Sequence, residues 1–249
     1  MANLSLNRNL IYPSSFFSTY HSAQNTGAEA IFATDQFPLM DRVSTLFARI
    51  YGAISGVFLL ANVVGVVSTY KEIIYGPIEG IRRKYQSRFT QVRLGADLGR
   101  NLGSAGANML RVAASVRSFF CSGGVWCTYA NLNIVANCFS VFASGCEIVS
   151  NIHSIRDVNS LLGCKISSIK KDFLLHHRQS SIFSIALAVG NIAISVLFSL
   201  SVILGSPLVM GISGVVSILM IPVLCVAMKQ KSQVISRHAE QNDCCKVFN

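Results

Sequence analysis

Residues 179 to 228 read QSSIFSIALAVGNIAISVLFSLSVILGSPLVMGISGVVSILMIPVLCVAM, fifty consecutive positions without an Asp, Glu, Lys or Arg. A bilayer is crossed by ~20 apolar helical residues, so this stretch holds two crossings. Gly205, Ser206 and Pro207 divide it into arms 179–204 and 207–228. Ser206 can cap the second helix while Pro207 takes its first position, where a missing backbone donor costs nothing. The pattern predicts a tight hairpin that returns Arg178 and Lys229 to the same side. Ser184, Ala188, Ser195 and Ser199 in the first arm, and Gly211, Ser213, Gly214 and Ser217 in the second, offer small surfaces for close arm-to-arm packing. Pro222 is expected to kink the second arm.

The rest of the chain agrees with that beginning. Of 249 residues, 51% are hydrophobic and 13% charged, about half the charge of a soluble domain. This excludes a collagenous or wholly disordered chain and argues against a cytosolic enzyme. The fold class expected is all-α: an integral membrane protein with a C-terminal transmembrane helical hairpin and long amphipathic helices. A second charge-free window, Ile50 to Tyr70, is just long enough to span. Asn62 and three glycines weaken it, which leaves a buried or interfacial helix as the alternative.

A third window, Ser118 to Cys146, has ordered polar residues: Asn133, Asn137, Ser140, Ser144, Glu147 and Asn151 fall on one helical face. A lipid-facing helix has no use for such a face. On the opposing side Ile148, Ile152, Ile155, Leu162, Ile166, Ile169 and Phe173 continue a heptad rhythm, with Asn159 at one seam position. The region 131–176 is therefore expected to be one long amphipathic helix or a broken pair. Its apolar seam should be buried, leaving Ser154, Asp157, Ser168 and Lys171 exposed. The seam packs either within its own chain or against a helical partner, a second copy included. Gly163 favours the former, since glycine costs ~1 kcal/mol in a helix interior.

Between these windows lies a basic segment. Arg93, Asp97, Arg100, Ser104, Asn108, Arg111 and Ser115 share a polar face, and Gly95, Gly99, Gly103 and Ala107 form a small-residue stripe that calls for a close helical neighbour. Arg82, Arg83, Lys84 and Arg88 form either a solvated juxtamembrane cluster or one drawn to acidic lipid, at ~1 kcal/mol per basic residue. No nucleic-acid reading motif accompanies them. If Ile50 to Tyr70 and the hairpin are the only spans, 18 of the 21 Lys and Arg share one side.

The start of the chain has no cleavable signal pattern. Up to Ala28 its only charge is Arg8, amid many Ser and Asn residues. The chain thus divides into a flexible segment 1–38, a hydrophobic helix 39–75, a basic amphipathic region 76–178 with its seam at 148–176, the hairpin 179–228 and a polar tail 229–249. An uncharged, uncleaved Ser- and Asn-rich start, a bilobed hydrophobic hairpin, helical flanks and a short polar tail resemble a chlamydial inclusion membrane protein. The resemblance implies type III secretion into the vacuolar membrane that surrounds the bacterium, with the non-membrane parts facing host cytosol. If both termini face that cytosol, the number of spans is even. A weaker likeness, through Gly211, Gly214, Val215, Val216 and Ser217, is to peroxisome-proliferation membrane proteins.

Catalytic chemistry finds little support. The eight cysteines, Cys121, Cys127, Cys138, Cys146, Cys164, Cys225, Cys244 and Cys245, lack the two-residue spacing of zinc sites. Asp172 and His176 stand one turn apart and read as a solvated membrane-edge pair. Cys244 and Cys245 are candidates for acylation. No enzyme activity, cofactor or metal is expected. Two functions remain: a membrane scaffold that recruits host proteins or lipids, and a membrane remodeller acting through basic amphipathic helices.

Overall fold

The computed structural model describes residues 41–75, 88–120, 125–163 and 168–204, with scattered residues between 208 and 229. Among the described residues the structure is helical apart from the turn at Gly163, with no strand. Four long helices follow one another: α1 (Asp41–Tyr75), α2 (Arg88–Phe120), α3 (Val125–Leu162) and α4 (Ser168–Leu204). Each packs chiefly against its neighbours in sequence, which makes a row with α2 and α3 in the middle. Three segments are long and apolar enough to cross a membrane: Arg49–Ile74, Asn131–Ser160 and Leu174–Leu204.

Small residues set the spacing of the row. On α1, Gly52 lies against Ser115, Gly56 near Val112 and Gly65 against the Asn101 side chain. These contacts fix α1 and α2 as antiparallel. The three glycines and Asn62, which weakened the first window as a span, are the contact face of α1, with Asn62 fully buried. Small residues admit close backbone approach, and the contact face need not be apolar when lipid covers the other side.

The neighbour required by the small stripe of α2 is α3. Gly99 sits against Cys146 and Phe142, Gly103 against Phe142, Ala143 and the Phe139 carbonyl, and Gly106 against the Phe139 ring. Gly95 is the exception, with open space around it. The pairing is again antiparallel. On α4, hydrogen bonds from Asn137 to Ser195 and Ser199, and from Asn191 to Ser144, set a third antiparallel contact.

One alternative is decided and one expectation corrected. Of the single helix and the broken pair, region 131–176 is the broken pair: α3 ends at Leu162 and a new helix opens at Ser168. Gly163, which lies in the turn, takes the chain out of the helix where a longer side chain would favour continuing it. Ile148, Ile152, Ile155 and Leu162 therefore belong to one helix, and Ile169 and Phe173 to the next. The small residues of the first arm also serve a different neighbour, since Ser195 and Ser199 meet α3. Contact with the second arm runs instead through Gly190, where an added Cβ would collide with the Met220 side chain. Gly190 and Met220 are equally far in sequence from Gly205, as in a chain folded back about that residue. Gly211 is exposed with open space around it, and the Gly205 to Pro207 break itself lies outside the described residues.

Candidate functional site

The interior of the row is rich in polar side chains, set among buried Leu94, Val158, Leu187, Ile194 and Phe198, and its exterior is largely apolar. Along α3, Asn133, Asn137, Ser140, Ser144, Glu147, Ser150, Asn151 and Ser154 are buried. They face α2 and α4. Away from this face Val135, Val149 and Ile152 are exposed, as are Phe139 and Phe142, whose rings cover the α2 glycines at the edge of the contact. The polar face found in the sequence is thus the packing face, and the apolar seam on α3 is not the buried stripe expected. Ile152 is exposed, Ile148, Ile155 and Leu162 are intermediate, and Ser154, expected to be exposed, is buried. Asp157 is half-buried and Lys171 exposed. The reversal is the one that hydrocarbon outside would favour: there a polar face is stabilised by turning inward and an apolar one loses nothing by turning outward. The same inversion removes the objection to the third window, whose polar face is compatible with a crossing helix because neighbouring helices cover it.

A ladder of polar contacts joins the helices. Near the end of the row formed by the start of α2, Arg93 approaches Asp157 at 3.9 Å. His177 Nε2 and Ser154 Oγ are hydrogen-bonded at 2.9 Å. Above them, Ser150 donates to Asp97 at 2.7 Å and Arg100 lies 3.5 Å from the same carboxylate. Arg100 also donates to Asn101, whose amide donates to Thr69 of α1 at 3.3 Å. The Gly99–Cys146 contact puts Arg100 level with Glu147 on the facing helix, both about 1% exposed. Towards the other end, fully buried Arg111 donates to Ser140 at 2.9 Å and to Asn137 at 3.5 Å. Three buried arginines, Arg93, Arg100 and Arg111, are thus accompanied by three carboxylates, of which Glu147 is buried and Asp97 and Asp157 are partly exposed.

The residues singled out from sequence are divided by this arrangement. Asn159 is exposed and accepts from Arg178 at 3.5 Å, which ties it to its own chain. Ile166, Arg82, Arg83 and Lys84 lie outside the described residues, Arg88 opens α2, and the side chains of Arg88, Ile169 and Phe173 are likewise not described. Asp172 is exposed, and the buried histidine is His177 rather than His176. Cys146 packs against Gly99 as a small residue would, whereas Cys138 and Cys225 are exposed. Among the described residues no group of three His, Cys, Asp or Glu could hold a metal ion.

The contribution of α4 escaped the sequence reading. His177, Ser180, Ser181, Ser184, Asn191 and Ser195 are all buried, and the steps 177, 181, 184, 191 and 195, of three, four and seven residues, continue the ladder on that helix. The signal was present, but small polar residues within a very apolar run read first as spacing devices. Compared with protein-family models, curated proteins and solved structures, the chain matches none.

Proposed function

We propose that this chain is a membrane-embedded, non-enzymatic scaffold that holds basic connections and a polar tail at one membrane surface, where they recruit proteins or acidic lipid. One observation carries the reading: the array hides its polar residues and displays its large apolar ones. Leu60 is 70% exposed, Val57 and Met109 65% and Phe142 55%. In water, each such side chain left uncovered would forgo ~1.5–3 kcal/mol of burial, and a soluble monomer seldom shows apolar surface on this scale. The resemblance to inclusion membrane proteins adds the vacuolar membrane of an intracellular bacterium as the location and host helical proteins as partners.

The remodelling alternative needs basic amphipathic helices lying flat in one leaflet, with their charges in water. Arg93, Arg100 and Arg111 are buried between helices, so α2 offers such a leaflet none of these three charges. The scaffold reading is tested with the full chain in its native membrane. Detergent should release it and alkaline carbonate should not, and affinity capture after mild solubilisation should retrieve a defined partner that is lost when Arg82, Arg83 and Lys84 are replaced by Gln. Release by carbonate, or capture unaffected by that replacement, contradicts it.

A further inference from the structure

We propose that α2 itself crosses the membrane beside α1, α3 and α4, giving five crossings with the returning segment after Gly205 and placing the two ends of the chain on opposite sides. The inference rests on the membrane reading above and goes beyond it. Hydropathy gives no hint of this crossing, because α2 carries Arg93, Asp97, Arg100 and Arg111 and is not among the three apolar candidates.

Register supplies the first argument. The contacts of Gly52 with Ser115 and Gly65 with Asn101 set the charge-free stretch 50–70 of α1 level with residues 97–117 of α2. The contacts of Gly99 with Cys146 and Gly106 with Phe139 set those residues level with about 130–150 of α3. The Asn191–Ser144 bond carries the same slab to about 184–204 of α4, and Gly190 with Met220 carries it to about 206–226. A helix packed along its length between two spans occupies their depth.

The outer surface of α2 supplies the second. Between residues 92 and 116 the exposed positions are Val92, Gly95, Leu102, Met109, Ala113 and Val116, without a polar side chain among them. At 1.5 Å per residue that stripe extends ~37 Å, against ~30 Å of hydrocarbon. It continues the exposed apolar faces of α1 (Val57, Leu60, Val64) and α3 (Phe139, Phe142, Val149). Hydrocarbon is accordingly its occupant. The charges of α2 point the other way: Arg100 and Arg111 are at most 1% exposed, and ionisable side chains at membrane depth are tolerated where they face the bundle interior.

Charge distribution supplies the third. With five crossings, fourteen of the 21 Lys and Arg fall at the end that carries the α1–α2 connection, the α3–α4 connection and the tail. Arg8, Arg42, Arg49 and Arg117 fall at the other end, and three are interior. The fourteen include Arg82, Arg83, Lys84 and Arg88, so one surface gathers the basic cluster and the tail, as the positive-inside rule asks of a cytoplasmic face. The arrangement with only Ile50 to Tyr70 and the hairpin as spans also satisfies that rule, but it takes α2 and α3 out of the slab with which their contacts are level. The proposal departs from the even span count that the inclusion-protein resemblance implies.

The chain carries its own reporters. Cys121 lies in the α2–α3 connection, Cys164 in the α3–α4 connection, and Cys244 and Cys245 in the tail. Sealed membrane vesicles containing the full chain are treated with a membrane-impermeant maleimide and digested for mass spectrometry, with Ser87→Cys added as a reporter for the α1–α2 connection. Ser87→Cys, Cys164, Cys244 and Cys245 should label from one side, and Cys121 only after the vesicles are opened or inverted. Labelling of Cys121 from the same side as Ser87→Cys overturns the crossing of α2. Carbonate extraction of the same vesicles separates this failure from failure of the membrane reading, which requires the chain to wash off. For the stripe, Met109→Trp in a Trp126→Phe background should lose its fluorescence to lipids brominated on the acyl chain. Protection from quenching, or a disulfide between two Met109→Cys chains, overturns hydrocarbon as the occupant.

Discussion

α2 and α4 are both long helices in one row, and both bury a polar face, yet only α4 announces its surroundings in its composition. The difference lies in what is buried. Within the common slab α4 turns inward only hydroxyls and an amide, Ser184, Asn191, Ser195 and Ser201, while α2 turns inward Arg100, Arg111, Asn101, Asn108, Ser104 and Ser115. Average hydropathy records the second set as water-loving. A helix that contacts neighbours on two sides is sampled by lipid only along a narrow stripe, so the stripe rather than the average tells what it touches. The comparison also says where stability resides: in charge-assisted contacts along α2 and α3, and in single neutral hydrogen bonds along α4.

The largest effect is expected from Arg100→Met. It leaves the Asp97 carboxylate without the guanidinium 3.5 Å away, and breaking a buried ion pair costs on the order of 3 kcal/mol. Thermal unfolding in detergent should show a large drop in Tm. An unchanged Tm would mean that the charges of α2 are not part of the packing and would undo the contrast with α4. Next comes Gly103→Leu, which drives a side chain into Phe142, Ala143 and the Phe139 carbonyl. Overpacking of this kind costs about 1–3 kcal/mol, whereas Gly95→Ala, placed in open space, should be neutral or stabilising by up to about 1 kcal/mol. The two substitutions measured side by side show whether the stripe is a contact or only a composition bias.

On the α4 side, Asn191→Leu removes the 2.9 Å bond to Ser144 and should cost about 1 kcal/mol, clearly less than the loss at Arg100. Equal losses would erase the distinction between the helices. The smallest effect belongs to Asp157→Asn. Its approach to Arg93 is long, 3.9 Å, at the limit of an ion pair, and Asp157 is the more open partner with 24% of its side chain exposed, so the attraction is weak. The change in stability should stay below about 1 kcal/mol and shrink further in high salt.

The helical class and two of the three segments long and apolar enough to cross a membrane, those in α1 and α4, were legible because charge-free windows have few physical explanations. Faces were legible too: the steps from Asn133 to Asn151 and from Arg93 to Ser115 each named a face that the structure keeps together. Which face turns inward was not legible by the ordinary rule, because that rule assumes water outside. Ile148, Ile152 and Ile155 form an apolar stripe of the kind a soluble helix buries, and only the row of neighbours shows that Ser150, Asn151 and Ser154 took that place. The break after Leu162 was half visible in Gly163. The partner of the α2 stripe was visible in Gly99 and Gly103, since residues that small in register ask for a backbone nearby. Long-range pairs such as Asn137 with Ser199 and Ser154 with His177 were not visible, because periodicity defines a face without saying what it meets.

The central claim, an apolar exterior around a polar interior, is tested most directly by photolabelling the membrane-inserted chain with a reagent confined to the acyl phase and mapping the modified residues by mass spectrometry. Modification should fall on Val57, Leu60 and Val64 of α1, Leu102 and Met109 of α2, and Phe139, Phe142 and Val149 of α3, while Asn62, Ser104, Asn137 and Ser144 stay unmodified. Modification of the second set, or of neither, would contradict the claim.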